Sequence, residues 1–129
     1  MEIDLRTALV AWLKADPALA ALNTVAEESP VRASPPWLGI AATASLDFGT
    51  KQLAGREIRI ALELQSRGDD IASDSTLVAA IDKRVGTLPQ AQSGFQVASI
   101  AFLRGRTERR PDNLRATLLE YRFRLIETP

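Results

Sequence analysis

In the stretch Glu57–Gln65, Glu-Ile-Arg-Ile-Ala-Leu-Glu-Leu-Gln, every second residue is aliphatic. Ile58, Ile60, Leu62 and Leu64 form one row. Glu57, Arg59, Ala61, Glu63 and Gln65 fill the positions between. Side chains of a strand point alternately to the two faces of a sheet, so one face here is continuous aliphatic surface and the other is mostly polar. A strand with that division belongs in an antiparallel sheet that rests one face on a core and turns the other toward solvent. The apolar row then needs a cover, and the rest of the chain must supply it.

Two segments have helical periodicity. Leu5, Ala8, Leu9, Trp12 and Leu13 form one stripe, with Asp4 placed as an N-cap and the helix expected to end near Ala15. Trp12 reads as a core residue on that stripe. Asp16-Pro17 restarts a short helix over 17–22, with Asp as cap and Pro at the first helical position, where a missing N–H costs nothing. The second long helix begins near Asp70, carries Ile71, Val78, Ile81, Val85 and Leu88 on one stripe with Leu77 beside it, and ends at Gly86 and Pro89. Asp82 and Lys83 are expected to point outward.

The other strands are read from shorter signals. Thr24–Glu28 and Trp37–Ala44 are expected strands on either side of the proline-rich segment 29–36. The connection 46–55 is longer than a tight hairpin requires. Phe95–Leu103 is an expected strand with Ala98, Ile100 and Phe102 toward the core, followed by a charged loop over 104–113. In the last strand, Leu114–Glu127, the residues Leu119, Tyr121, Phe123 and Leu125 alternate with Glu120, Arg122 and Arg124. With 129 residues, one domain can bury roughly two-thirds of its unfolded surface, enough for a core without staples. The expected fold is a single α+β domain over residues 1–129, a two-layer sandwich of a mainly antiparallel sheet with two principal helices on one face.

Several kinds of chemistry are absent from the sequence. It has no cysteine and no histidine, which removes disulfides, thiolates, the commonest general base and the commonest metal ligand. Neither Gly-rich phosphate-loop pattern occurs. Asp69, Asp70 and Asp74 read as favourable charges at a helix N-terminus, and Arg67-Gly68-Asp69 reads as a turn. No apolar run approaches the roughly 20 residues of a membrane span. Met1–Arg6 is charged and leads into an amphipathic pattern, unlike a signal peptide. No catalytic, cofactor or metal site is expected, and a low aromatic content offers no stacking platform for nucleic acid. The 16 basic and 16 acidic residues cancel but segregate. Acidic residues lead in the first thirty positions, and arginines lead between Arg104 and Arg124. Such poles suit head-to-tail contacts between subunits, or they are solvated faces.

Several of these stretches together resemble a known family. They are Leu5-Arg-Thr-Ala-Leu-Val-Ala-Trp-Leu-Lys-Ala-Asp-Pro-Ala-Leu-Ala-Ala-Leu, the strand Trp37–Ala44 after the prolines, Ile58-Arg-Ile-Ala-Leu-Glu-Leu-Gln-Ser-Arg-Gly, Val97-Ala-Ser-Ile-Ala-Phe, and the closing segments 107–113 and 118–126. The pattern resembles the tail-completion, or tail-terminator, proteins of long-tailed bacteriophages, prophages and gene transfer agents. The resemblance implies a non-enzymatic virion protein, assembled in the bacterial cytoplasm, that forms a ring, usually hexameric. The ring would cap the tail tube, end its polymerisation and present a head-joining surface. Its partners would be further copies of itself, the tube protein and the head–tail connector or stopper. DNA would pass through the lumen without specific binding, and no membrane would be involved. Loop length and charge then point to Asp47, Phe48, Lys51 and Leu53, and to Arg104, Arg106, Arg109 and Arg110, as contacts to neighbouring subunits or tube. Two alternatives stand beside this reading: a stopper or adaptor ring of the same neck, and a small cytoplasmic ligand-binding domain or enzyme.

Overall fold

A computed structural model describes residues 1–29, 32–47, 49, 54–68 and 71–128. The elements run α1 (Glu2–Lys14), a short 3₁₀ turn (Pro17–Leu19), β1 (Thr24–Ala26), β2 (Trp37–Asp47), β3 (Gly55–Arg67), α2 (Ile71–Gly86), β4 (Phe95–Arg110) and β5 (Leu114–Glu127). The five strands form one sheet in the order β1-β2-β3-β5-β4. Only β1 and β2 run parallel; the remaining pairs are antiparallel. The architecture is α+β, as the alternating and helical patterns require.

The aliphatic row of β3 lies at the centre of the core. Ile58, Ile60, Leu62 and Leu64 are buried beside Leu119, Tyr121, Phe123 and Leu125 of β5 and Leu38 and Ile40 of β2. Both helices cover this face: Leu5, Leu9 and Leu13 come from α1, and Leu77, Ile81 and Val85 from α2. Fully burying one such side chain contributes about 1.5–3 kcal/mol, so the cluster outweighs the modest helix propensity of either segment. A reciprocal clasp ties the helices together. Trp12 Nε1 donates to the Arg84 carbonyl and Arg84 Nε donates to the Trp12 carbonyl, each at 2.8 Å. The Arg84 guanidinium lies 3.4 Å from the centre of the Trp12 ring. Trp12 thus packs against the core, as its stripe predicts, with its polar edge satisfied.

The helix boundaries differ in detail. α1 begins two residues ahead of Asp4, which therefore lies in its first turn and does not cap it; Met1 holds the cap position. Asp16 does cap the following turn, accepting from Ala18 N at 3.0 Å, but that turn ends at Leu19. On α2 the buried stripe is Leu77, Ile81 and Val85, and Ile71 overhangs into solvent.

The largest correction concerns the charged loop expected over 104–113. Arg104, Arg106, Arg109 and Arg110 belong to β4, which continues through Arg110 and pairs with β5 along its whole length. The strand is hidden in the sequence because neither face of this half carries an apolar row. Cross-strand partners hold it instead: Arg104 meets Glu120, and Thr107 meets Thr117 at 3.3 Å. The turn is confined to 111–113, where Asp112 and Asn113 take left-handed backbone (φ 64° and 59°) that Asp and Asn tolerate.

The facing of β4 also differs from the expected one. Extra residues at Ala98 and Leu103 shift the register twice, and each such bulge turns the following side chains to the other face. Phe95 and Val97 are buried, Ala98 is exposed, and Ile100 packs against the core from beyond the first bulge. Phe102 shares that face but lies beyond the helices, 53% exposed, with its ring edge-on to Tyr121 at 5.5 Å. The connection between β2 and β3 is shorter than 46–55, because β2 runs through Asp47 and β3 begins at Gly55.

Candidate functional site

Strand alternation divides the sheet into a covered face and an open one. The open face carries the polar partners of each apolar row: Glu57, Arg59, Ala61 and Glu63 from β3, Glu120, Arg122 and Arg124 from β5, and Arg104, Arg106, Glu108 and Arg110 from β4. Most of these charges neutralise one another, within a strand or across to the next. Arg104 Nε meets Glu120 at 2.9 Å with a second bond from Nη2 at 3.1 Å, a bidentate fork. Arg59 and Arg124 converge on Glu57, each at 3.2 Å. Arg106 and Arg110 each reach Glu108 at 3.4 Å, and Arg110 also approaches Glu63 at 3.8 Å.

The carboxyls respond accordingly. The hydrogen bond from Arg104 holds Glu120 below the usual carboxylate range. Burial works to raise Glu57, but hydrogen bonds from Arg124 and Arg59 outweigh it and leave this group lowered too. For a lowered carboxyl the stabilisation is present above the unfolded value and is lost as pH falls through the folded one. These pairs therefore loosen only in acid, below about pH 4.5.

Two strand edges flank this face. β1 covers only Trp37–Gly39 of β2, which, among the described residues, leaves the run from Ile40 to Asp47 paired on one side alone. At the opposite margin β4 is the last strand, and only its beginning is capped: Val97 N donates to Gln90 O, and Ala91 bridges Gln96. Unpaired N–H and C=O groups on such edges are a template for another strand. The edges differ in character. The β2 edge is smooth and small-residued between Ala42 and Ser45 and is accompanied by Glu2, Glu28 and Asp47, which outnumber the Arg6 beside them. The β4 edge is bulged and carries Arg104 and Arg106.

The structure divides the expected contact residues between these margins. Asp47 is exposed at the end of β2, level with Arg56, Leu125 and Val97. Phe48, Lys51 and Leu53 lie outside the described residues. Arg104, Arg106 and Arg110 sit on the open face in the ion pairs given above. Arg109 turns to the other face, where its Nη2 lies 3.5 Å from Asn113 Oδ1. Asp47 and the four arginines therefore lie at opposite edges and at opposite ends of the sheet.

Two polar contacts on the covered side carried no local signal. Arg115 Nε meets Asp74 Oδ2 at 2.8 Å, Ser66 Oγ donates to the same oxygen at 2.8 Å, and Arg115 Nη1 donates to the Gly68 carbonyl. Asp74 thus lies in the first turn of α2 and also anchors that turn to the sheet. The other contact is the Tyr121 hydroxyl, which donates to Asp82 at 2.9 Å. Burial first, and then this bond, push its ionisation well above the ordinary 10.0. An acid raised in the folded state keeps its stabilisation below the unfolded value and loses it as pH rises beyond. Stability should hold to about pH 10 and fall above it, and Tyr121→Phe should flatten that fall. Tyr121 is the sole tyrosine, so phenolate absorbance reports it alone. A phenolate signal appearing near pH 10 while the protein stays folded would contradict the burial.

Among the described residues no group of three or more Asp or Glu is placed to hold a metal ion. No helix is long and apolar enough to cross a membrane. Edges of unlike character beside an ion-paired open face offer surfaces for assembly. The family follows from the sequence match: residues 7–126 fit the model of the family Tail completion protein gp17, and the chain belongs to that family, whose members are structural, non-enzymatic proteins of phage tails. The enzyme alternative is thereby set aside. A solved chain from the structure titled "Virion of native gene transfer agent (GTA) particle" has the same fold, with TM-score 0.83, 20% identity and 95% of each chain covered. No curated protein matches the chain.

Proposed function

We propose that the protein closes head-to-tail into a hexameric ring on the end of the tail tube, ends tube growth and presents the surface that joins the head. The observation that carries this reading is the pair of unlike free edges. A cyclic assembly needs two different, complementary patches on each subunit. The strand order β2-β3-β5-β4 alternates in direction, so β4 of one copy set beside β2 of the next continues the antiparallel alternation. The acidic company of the β2 edge and the arginines of the β4 edge complement each other, which favours one register and one partner. The shared fold with a chain of a gene transfer agent particle supports a place in a virion or a phage-like particle. DNA would pass through the lumen of that ring without specific binding.

Deleting the gene and imaging the particles tests this directly. Free heads beside tails of irregular length are the expected result. Tails of uniform length that fail to join heads would assign the protein to the stopper or adaptor ring of the neck. Arg109→Glu reverses a charge on the β4 margin that engages no carboxylate, and it should leave the melting curve unchanged while lowering the yield of joined particles. Normal particles from that variant would remove Arg109 from the contact.

A further inference from the structure

On the open face the sheet carries a hollow of about 230 Å³ between β2 and β3. Its floor is Ala42, Ala44 and Ala61, where other positions of this face hold long charged side chains. Arg59 and Glu120 stand at its rim. Arg59 is directly opposite Arg122 on β5, and like charges so placed repel. The local carboxylates are taken up without reaching Arg122. Glu57 is taken by Arg59 and Arg124, and Glu120 by Arg104. Among the described residues Arg122 Nε is buried with no partner. A buried donor left unmade costs about 1–3 kcal/mol, so a negative charge brought to this corner of the face would be stabilising.

We propose that this alanine-floored hollow, with Arg59 and Arg122 beside it, is a docking site for a protein segment of the particle that inserts a carboxylate side chain. A carboxylate would relieve the like charges of Arg59 and Arg122 by meeting the outer guanidinium nitrogens of Arg122, while an aliphatic neighbour would fill the hollow. A polyphosphate backbone fits less well. Its charges recur along a line that here also carries Glu57, Glu63, Glu108 and Glu120. The inference rests on the reading of the protein as a working part of a particle, and it names a contact that ring closure through the strand edges does not require.

The test is complementation of a gene deletion. Arg122→Gln removes the like-charge contact, so the purified protein should melt at or above the wild-type temperature. The yield of complete particles should fall about tenfold or more, as for loss of one partner of a buried interfacial charge pair. Ala61→Glu fills the hollow from within and is the second variant, expected to fold and to show the same loss. Under Arg122→Glu, suppressors that change an acidic residue of a particle protein to lysine or arginine would establish the carboxylate. Normal particles from both Arg122→Gln and Ala61→Glu, where the deletion fails, would overturn this inference alone. Retardation of duplex DNA by the wild-type protein and not by Arg122→Gln would overturn it in favour of phosphate. Unaffected particles from the deletion itself would overturn the functional reading and this contact with it.

Discussion

Leu62→Asp should abolish the cooperative unfolding transition. Leu62 is 1% exposed at the middle of β3, between Ile40 of β2 and Leu119 of β5 and beneath the helices. A carboxylate placed there has no cationic partner within the apolar cluster. Desolvating such a charge costs several kcal/mol, a large share of the ~5–15 kcal/mol by which domains are stable. The lost aliphatic packing adds about 2–5 kcal/mol, the usual range for truncating a buried leucine. Far-UV circular dichroism with urea titration provides the check. The neighbour Ala61, one position along and on the open face, is the control: Ala61→Glu should cost little. A sigmoidal transition for Leu62→Asp near the wild-type midpoint would mean that the covered and open faces are exchanged.

The second large effect is at Asp74. Its side chain is 13% exposed and that of Arg115 is 8% exposed, so the 2.8 Å pair lies almost wholly out of water. Asp74→Ala leaves the Arg115 charge buried with only the Gly68 carbonyl, and Nη2 already lacks a partner. Breaking one side of such a pair costs about 3–5 kcal/mol, whereas replacing both partners with apolar groups is often neutral. Asp74→Ala alone should therefore lower the unfolding midpoint strongly, and Asp74→Ala combined with Arg115→Met should recover most of the loss. A double-mutant cycle measures the difference. Equal damage from the single and double variants would show that the contact of α2 with β5 depends on shape and not on charge.

The parts of this fold that could be read in the sequence are those where one residue type repeats at the period of its element. The β3 row, the β5 row and the Trp12 stripe all have that property, and each lies where the pattern places it. The far half of β4 does not. Its residues Arg104 to Arg110 are polar on both faces, so alternation leaves no trace in hydropathy, and the strand exists because β5 offers partners at every step. The bulges at Ala98 and Leu103 escape for a related reason: a one-residue insertion is defined by the partner strand, which the local sequence does not show. The open face was written into the stretch first considered, since Glu57, Arg59 and Glu63 are the polar half of the β3 alternation. What remained hidden was which glutamate each arginine would take. Asp74 and Arg115 stand 41 positions apart, and no local pattern links them.

The sheet order has a consequence for how the chain is made. β5 is central in space, hydrogen-bonded to β3 along one side and to β4 along the other, yet it is the last strand to be synthesised. Until it leaves the ribosome, the apolar face of β3 and that of the first half of β4 have no seam to join them. Most of the ladder therefore forms after translation has passed the whole domain, and loops spanning tens of residues must close before it is stable, a topology that slows folding. During that interval Ile58, Ile60, Leu62 and Leu64 have the helices to cover them but no β5 alongside. A nascent chain of this design passes through an unzipped half-sheet, whose unpaired strand edges favour misassembly until β5 arrives.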